Sequence, residues 1–336
     1  MKVHRIKAMV AALALAALAT GPALAADKID KVVYQLGWIP SGANGIEYLG
    51  KADGYFSRAL LDVEIRSGNG SSDALTRVAA GSADMTAVGI DAVFAAAARQ
   101  KLPVRIIYSI YNKKPDAIHV AAASPIHNLK DLAGKRLATS VYSSVNVVWP
   151  LFLQKNGVDP ASVRLMKVDA GTLAPLVASG QVDGALDWVT SAPGAASVLK
   201  SAGKSLREIK WSEYGYDGYG YVIVANENFL KQKPEVARHF LDAYRKASMA
   251  AVANPSAVGS AMARVVPGLD AKVAGEEFSA SIPLIENEIT RKDGWGAFDA
   301  ARVRATWDWV ARSQGLPGNA LDPMSVIDAK YLPASK

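Results

Sequence analysis

The chain has 336 residues, half of them hydrophobic, with no cysteine and a formal net charge of +7. The absence of cysteine removes thiol nucleophiles and thiolate metal sites, and it suits an oxidising compartment where stray thiols are a hazard. Basic residues are scattered, with no basic-aromatic ladder, so nucleic acid is not an expected partner. Lys2, Arg5 and Lys7 precede an apolar run from Ala8 to Thr20, then Gly21-Pro22 and Ala23-Leu24-Ala25. That order of parts predicts a cleaved secretory leader over residues 1–25, because the run is far short of the ~20 residues of a membrane span. No Cys follows the cleavage site, so the mature protein is expected to start near Ala26, without a lipid anchor, in the periplasm. Taking the leader's three cations from +7 leaves +4, which fits an anionic ligand or simple solubility.

The mature chain of roughly 310 residues exceeds what one core usually serves, so two lobes are expected. Val32–Leu36 reads as a strand and residues 45–52 as a helix. A strand follows over 62–66, then a helix whose cap is read at Ser71-Ser72-Asp73. Strands over 83–89 and 104–110 flank an Ala-rich helix over 92–100. The rhythm restarts after Asp116, with strands over 118–122, 136–140, 163–168 and 182–186. Helices are expected over 129–132, 145–156 and 172–179. One more strand is read over 221–225, and from Phe229 the chain is nearly all helical. The fold class is therefore α/β. Two Rossmann-like lobes, each a mostly parallel sheet covered by helices, are joined by two crossing segments near Tyr111–Pro115 and Tyr214–Gly220. The expected division is 26–112 with 222–336 as lobe 1, carrying the C-terminal helices, and 113–221 as lobe 2.

Several short motifs occur in order. They are Trp38-x-Pro40, Gly54-Tyr55-Phe56, Leu61 to Ile65, Ala80-Gly81-Ser82-Ala83-Asp84, Ser124-Pro125-Ile126 and Lys130 to Lys135. Leu176-x-x-Ser179-Gly180-Gln181-Val182-Asp183, Val224-Ala225-Asn226-Glu227-x-Phe229 and Pro234-Glu235 follow. Together they resemble the nitrate/sulfonate/taurine and thiamine-pyrimidine-precursor binding proteins of ABC importers. The resemblance runs from about Val32 to about Tyr244. It implies a type II periplasmic-binding-protein fold, capture of a small solute by closure of two lobes, and delivery to an inner-membrane ABC permease. In the pyrimidine-precursor branch an Asp precedes the Trp and a His follows a few residues later; here those positions are Gly37 and Asn44.

Ligand contacts are expected where strands end and helices begin, at the cleft between the lobes. Trp38 follows the first strand beside Pro40, and the resemblance places an aromatic residue there in the cleft; Asn44 follows. Asn69 and Ser71 lie in a Gly-Ser loop that opens a helix, suited to an anion or a carbonyl. Asp91 is a helix cap or an acceptor for a ligand N–H. In the second lobe Ser143 and Ser144 open a helix, and Asp187 and Trp188 follow a strand. Asp169 to Thr172 has a similar place. Tyr111 and Tyr219 sit at the two crossings. In this fold Trp38, Tyr111, Trp188 and Tyr219 would converge on the cleft, which suggests a planar or aromatic ligand.

Catalytic patterns are thin. His119, His127 and His239 match no metal spacing, and Gly203-Lys204-Ser205 lacks the first glycine of a phosphate loop, having Val198 there. The enzymes that resemble this family, yeast-type pyrimidine-precursor synthases and a sulfinate hydrolase, depend on cysteine. The expectation is a monomeric, cofactor-free and metal-free binding protein rather than an enzyme. The alternatives are a ligand-sensing module for a membrane receptor and a cysteine-free enzyme on the same fold.

Overall fold

Val32 and Tyr34 alternate along the first strand and Leu36 follows just past it; all three are fully buried, so this strand lies inside a covered sheet. A computed structural model describes residues 28–333, and the leader read at 1–25 lies outside the described residues. Strands β1 (Asp30–Gln35), β2 (Leu61–Arg66), β3 (Met85–Gly89), β4 (Val104–Ser109) and β10 (Tyr221–Asn226) form one sheet in the order β2-β1-β3-β10-β4. Strands β5 (Asp116–Ala121), β6 (Arg136–Ser140), β7 (Arg164–Val168), β8 (Gly184–Trp188) and β9 (Leu206–Lys210) form the other, in the order β7-β6-β8-β5-β9. The two orders follow one plan. In each sheet a single strand runs against its neighbours: β10 is antiparallel to β3 and β4, and β5 to β8 and β9. These are the strands that enter a lobe from a crossing. They escape the right-handed crossover rule that keeps the helix-linked strands parallel.

Helices α1 (Gly45–Ala52), α2 (Ser71–Ala79) and α3 (Ile90–Ala97) cover the first sheet; α4 (Trp149–Lys155), α5 (Leu173–Ser179) and α6 (Ala192–Ser201) cover the second. The C-terminal run is α7 (Glu227–Gln232), α8 (Pro234–Ala253), α9 (Pro255–Ala263), α10 (Ala271–Ile285), α11 (Glu288–Asp293) and α12 (Ala300–Ser313). Among the described residues no helix is long and apolar enough to cross a membrane.

Three sequence expectations need correction. The helix read over 145–156 is a 3-10 turn (Ser144–Val147) followed by α4, because Pro150 fits only a helix's first turn. Helix α2 starts at Ser71 itself, with Gly70 at φ 143° in the cap position, so Ser71 is not the cap. Helix α6 and strand β9 were not expected at all. One apolar core packs α1, α8, α9 and α10 against the first sheet. A second is shared between the lobes and joins Phe94 and Val88 to Phe152, Trp211 and Tyr216, with Trp307 of α12 packed on Phe94.

Three buried carboxyl groups, Glu47, Asp116 and Glu277, are each pushed up to about 7, burial being the largest cause. Folding therefore raises their proton affinity. Between the ordinary carboxylate range and about 7 the native state holds more protons than the unfolded chain, so stability falls as pH rises through that window. The melting temperature is expected to be highest near pH 5, by this linkage, and to decline toward pH 7.5. Glu47→Gln should flatten that slope. A melting temperature that climbs from pH 5 to 7.5 would contradict the assignment.

Candidate functional site

The segments that follow β1 and β6, the C-terminal end of β8 and the start of β10 meet between the lobes around a cavity of about 30 Å³. From lobe 1 come Gly37, Trp38, Ser41, Asn44, Ser71 and Tyr221, the last counted to lobe 2 in the sequence reading but here the first residue of β10 in the first sheet; from lobe 2 come Ser143, Ser144, Asp187, Trp188, Thr190 and Ser191. Close backbone packing shapes it. A side chain on Gly37 would meet the Ala87 carbonyl at 2.2 Å, so this backbone cannot carry the Asp of the pyrimidine-precursor branch.

Three rings form the walls. Trp188 stands edge-on to Tyr221, with centroids 5.2 Å apart at 80°, and Trp38 faces the same space. The polar groups are few and specific. Asn44 Nδ2 donates to the Tyr221 hydroxyl at 3.3 Å. Its Oδ1 and the Thr190 Oγ1 are buried with no partner among the described residues. Buried polar atoms are nearly always paired, so two orphans on residues that line one cavity point to a polar ligand. Among the described residues that line it, Asp187 is the one charged side chain. Its Oδ1 accepts from Trp188 N (2.8 Å) and Ser191 Oγ (3.0 Å). Burial raises its pKa, against the lowering influence of nearby His119.

The space continues into an outer cavity of about 330 Å³, which shares Trp38, Ser41, Asp187 and Ser191 with the inner one. Apolar side chains such as Pro40, Leu173 and Val273 line it, together with Ala170, Gly171 and Glu277. Among the described residues neither cavity is lined by a lysine or arginine.

Seven of the expected contacts therefore share one cavity: Trp38, Asn44, Ser71, Ser143, Ser144, Asp187 and Trp188. Asp187 and Trp188 are the last residues of β8 rather than following it. Four expected contacts stand elsewhere. Asn69 is exposed, its amide donating to Asp73 at 3.4 Å. Asp91 is bound on both oxygens by Lys114 at 2.6 Å and is a buried structural anion. Tyr111 is fully buried behind Tyr221 and Trp188, at 5.3 and 6.1 Å, and supports the wall without lining it. Tyr219 is fully buried against Phe298, and its hydroxyl accepts from Asp299 N at 2.7 Å. The sequence reading missed Ser41, Thr190, Ser191, Tyr221 and Glu277.

The lobes touch beside the cavity. Ser72 N donates to the Tyr142 carbonyl at 3.1 Å, and Ser140 Oγ to the Asn69 carbonyl at 3.3 Å. Gly89 meets lobe 2 closely: a Cβ there would lie 2.2 Å from Ser144 Oγ. Its φ of −61° suits any residue, so Gly89→Ala should fold normally yet hold the lobes apart. Titration calorimetry should then show ligand affinity down by about ten-fold or more, as expected when the closed state is disfavoured by over 1.4 kcal/mol. Unchanged affinity would mean that closure at this edge is not needed.

Comparison with known proteins fits this geometry. The family model described as NMT1/THI5 like matches residues 44–258. The riboflavin-binding protein RibY of Chloroflexus aurantiacus is 22% identical over 91% of this chain and 87% of its own. The formylaminopyrimidine-binding protein of Halalkalibacterium halodurans is 26% identical over 74% of this chain and 75% of its own. The solved structure of the alkanesulfonate-binding protein SsuA from Xanthomonas axonopodis, bound to MOPS, superposes with a TM-score of 0.71 at 16% identity. The match covers 90% of this chain and 100% of that one, and it establishes the periplasmic-binding-protein fold.

Proposed function

Because the chain belongs to the NMT1/THI5-like family, we propose that it captures a small planar molecule between its lobes and delivers it to the permease of an ABC importer. The carrying observation is the inter-lobe cavity, walled by Trp38, Trp188 and Tyr221, with unpartnered buried atoms on Asn44 and Thr190. Rings on two sides favour a flat ligand, the orphan Asn44 amide oxygen favours one with an N–H or O–H group, and the Thr190 hydroxyl can donate or accept. The only charge at the inner cavity is the Asp187 carboxylate, with no cationic side chain among the described residues. A desolvated anion would find no counter-charge there, so the ligand is neutral or cationic. Both relatives named above carry names of uncharged ring compounds, riboflavin and a formylaminopyrimidine, in keeping with that preference.

A ligand that touches both lobes binds the closed form better and shifts the population toward it. The closed form then presents a distinct surface to the permease. The protein acts from the periplasm as a monomer, and it returns its ligand chemically unchanged.

A thermal-shift screen against pyrimidines, flavins, aromatic acids, alkanesulfonates and nitrate tests this. A neutral or cationic ring compound at about 100 times its Kd should add about 2.7 kcal/mol of stability. Stabilisation by sulfonates or nitrate alone would overturn the reading, as would recovery of a chemically altered ligand after long incubation.

A further inference from the structure

Glu277 has no part in the inner cavity, yet its placement is constrained on every side. It lies in the middle of α10 and is 8% exposed. Its Oε2 accepts from Gly42 N at 2.6 Å, which fixes the carboxylate at the lobe 1 rim of the outer cavity. Across the cleft its Oε1 sits 2.4 Å from where a Gly194 side chain would begin, so α6 of lobe 2 leaves room for it only because position 194 is glycine. Oε1 accepts no hydrogen bond among the described residues.

Asp187 mirrors this arrangement from lobe 2. One oxygen is held by Trp188 N and Ser191 Oγ, and the other accepts no hydrogen bond among the described residues. Both acids border the outer cavity, and no lysine or arginine among the described residues lines it. Two acids that border one space repel as carboxylates unless one takes up a proton or something with protons to give lies between them. The inner cavity, continuous with this space, adds its own demand through the unpartnered Thr190 Oγ1 and Asn44 Oδ1, both at least nine-tenths buried. The two cavities share Trp38, Ser41, Asp187 and Ser191, so a molecule that reaches both places one part against the rings and another beside the acids.

We propose that Asp187 and Glu277 form a second subsite, which takes a donor-bearing substituent of the ligand, an ammonium or a hydroxylated chain, while its ring lies against Trp38, Trp188 and Tyr221. This rests on the ring-capture reading above and specifies what the ring must carry. The anchored oxygens hold each carboxylate in place, and the free ones accept from the substituent, one from each lobe. The substituent thereby bridges the lobes and favours closure.

Two matched probe pairs test the subsite by titration calorimetry on wild type, Asp187→Asn and Glu277→Gln. The first pair is 4-amino-5-aminomethyl-2-methylpyrimidine and 4-amino-2,5-dimethylpyrimidine, which differ by an ammonium. The second is riboflavin and lumiflavin, which differ by a hydroxylated chain. In at least one pair, wild type should prefer the substituted member by about ten-fold or more, the size expected of hydrogen bonds to charged groups. The preference should shrink several-fold in each variant. Circular dichroism and melting curves establish that the variants fold. The pair that responds tells an ammonium from a polyol. Equal binding within both pairs, or a preference untouched by either substitution, overturns the subsite while leaving ring capture standing. If wild type binds no member of either pair, ring capture itself fails and the subsite with it.

Discussion

Replacing Lys114 with methionine is expected to cost the folded protein about 3–5 kcal/mol, the range for stripping one partner from a buried ion pair. Lys114 Nζ lies 2.6 Å from both oxygens of Asp91, and the two side chains are 1% and 4% exposed. The Tyr216 hydroxyl donates to Asp91 Oδ2 at 2.6 Å, and the Lys114 ammonium also stands 4.7 Å over the Tyr216 ring. Lys114 belongs to the first crossing, Tyr216 to the second, and Asp91 opens α3. One charge therefore fastens both connecting segments to lobe 1. Without it Asp91 keeps a single hydroxyl donor in a site that excludes water. Nearby Asp116, whose pKa the Lys114 charge helps to hold down, would be pushed further up. Urea denaturation should show the loss, and Lys114→Met with Asp91→Asn together should recover most of it, because the second change removes the stranded charge. A single-variant loss under about 1 kcal/mol would mean that the site hydrates easily and the lock is weak.

That lock also shows where sequence reading stops. Strand ends and helix starts were legible because β-branched runs and glycine punctuation are local signals. Trp38, Asp187 and Trp188 could be placed at the cleft because an α/β sheet puts its strand ends there. Asp91 satisfied the same positional rule and still fell outside the site. Its partners Lys114 and Tyr216 lie 23 and 125 residues away, and no local pattern pairs them. Tyr219 and Tyr221 are two residues apart at the same crossing, yet Tyr221 faces the cavity while Tyr219 packs under Asp299. Only the start of β10 decides between them. Strand β9 reads Leu-Arg-Glu-Ile-Lys, an edge strand whose charged residues hide its period. Helix α6 begins Ala-Pro-Gly-Ala-Ala, which carries no apolar stripe to detect. Glu277 lies in the middle of a helix, where an acidic residue ordinarily reads as a solvated face. Its role depends on Gly42 and Gly194, two backbones far away in sequence.

Trp188→Ala should weaken binding of the ring compound selected by thermal shift by roughly 100-fold, combining the lost apolar burial of one aromatic wall with its ring-ring term. The size follows from what the ring does in two places. Trp188 comes from lobe 2, at the end of β8, yet its ring packs edge-on against Tyr221 and Tyr111 of lobe 1 at 5.2 and 6.1 Å. It is both a wall of the inner cavity and a contact that closes the cleft, so its loss removes a face for the ligand and loosens the closed state. Trp188→Phe keeps a flat apolar face and the edge contact in smaller form, and should recover most of the affinity. Trp38→Ala removes a wall and that side chain's packing on the small aliphatic cluster of lobe 2, but none of the Trp188–Tyr221–Tyr111 ring contacts, so its effect should be smaller than that of Trp188→Ala. Titration calorimetry on the three variants, with melting curves to establish folding, separates the two roles. If Trp188→Ala loses less than about three-fold, well under 1 kcal/mol, the ligand does not lie against this ring. If Trp38→Ala loses as much as Trp188→Ala, the ring-on-ring contact across the cleft adds nothing beyond the two walls. The unequal outcome is expected, because Trp188 reaches across the cleft to two buried rings of the other lobe, whereas Trp38 meets only aliphatic side chains there.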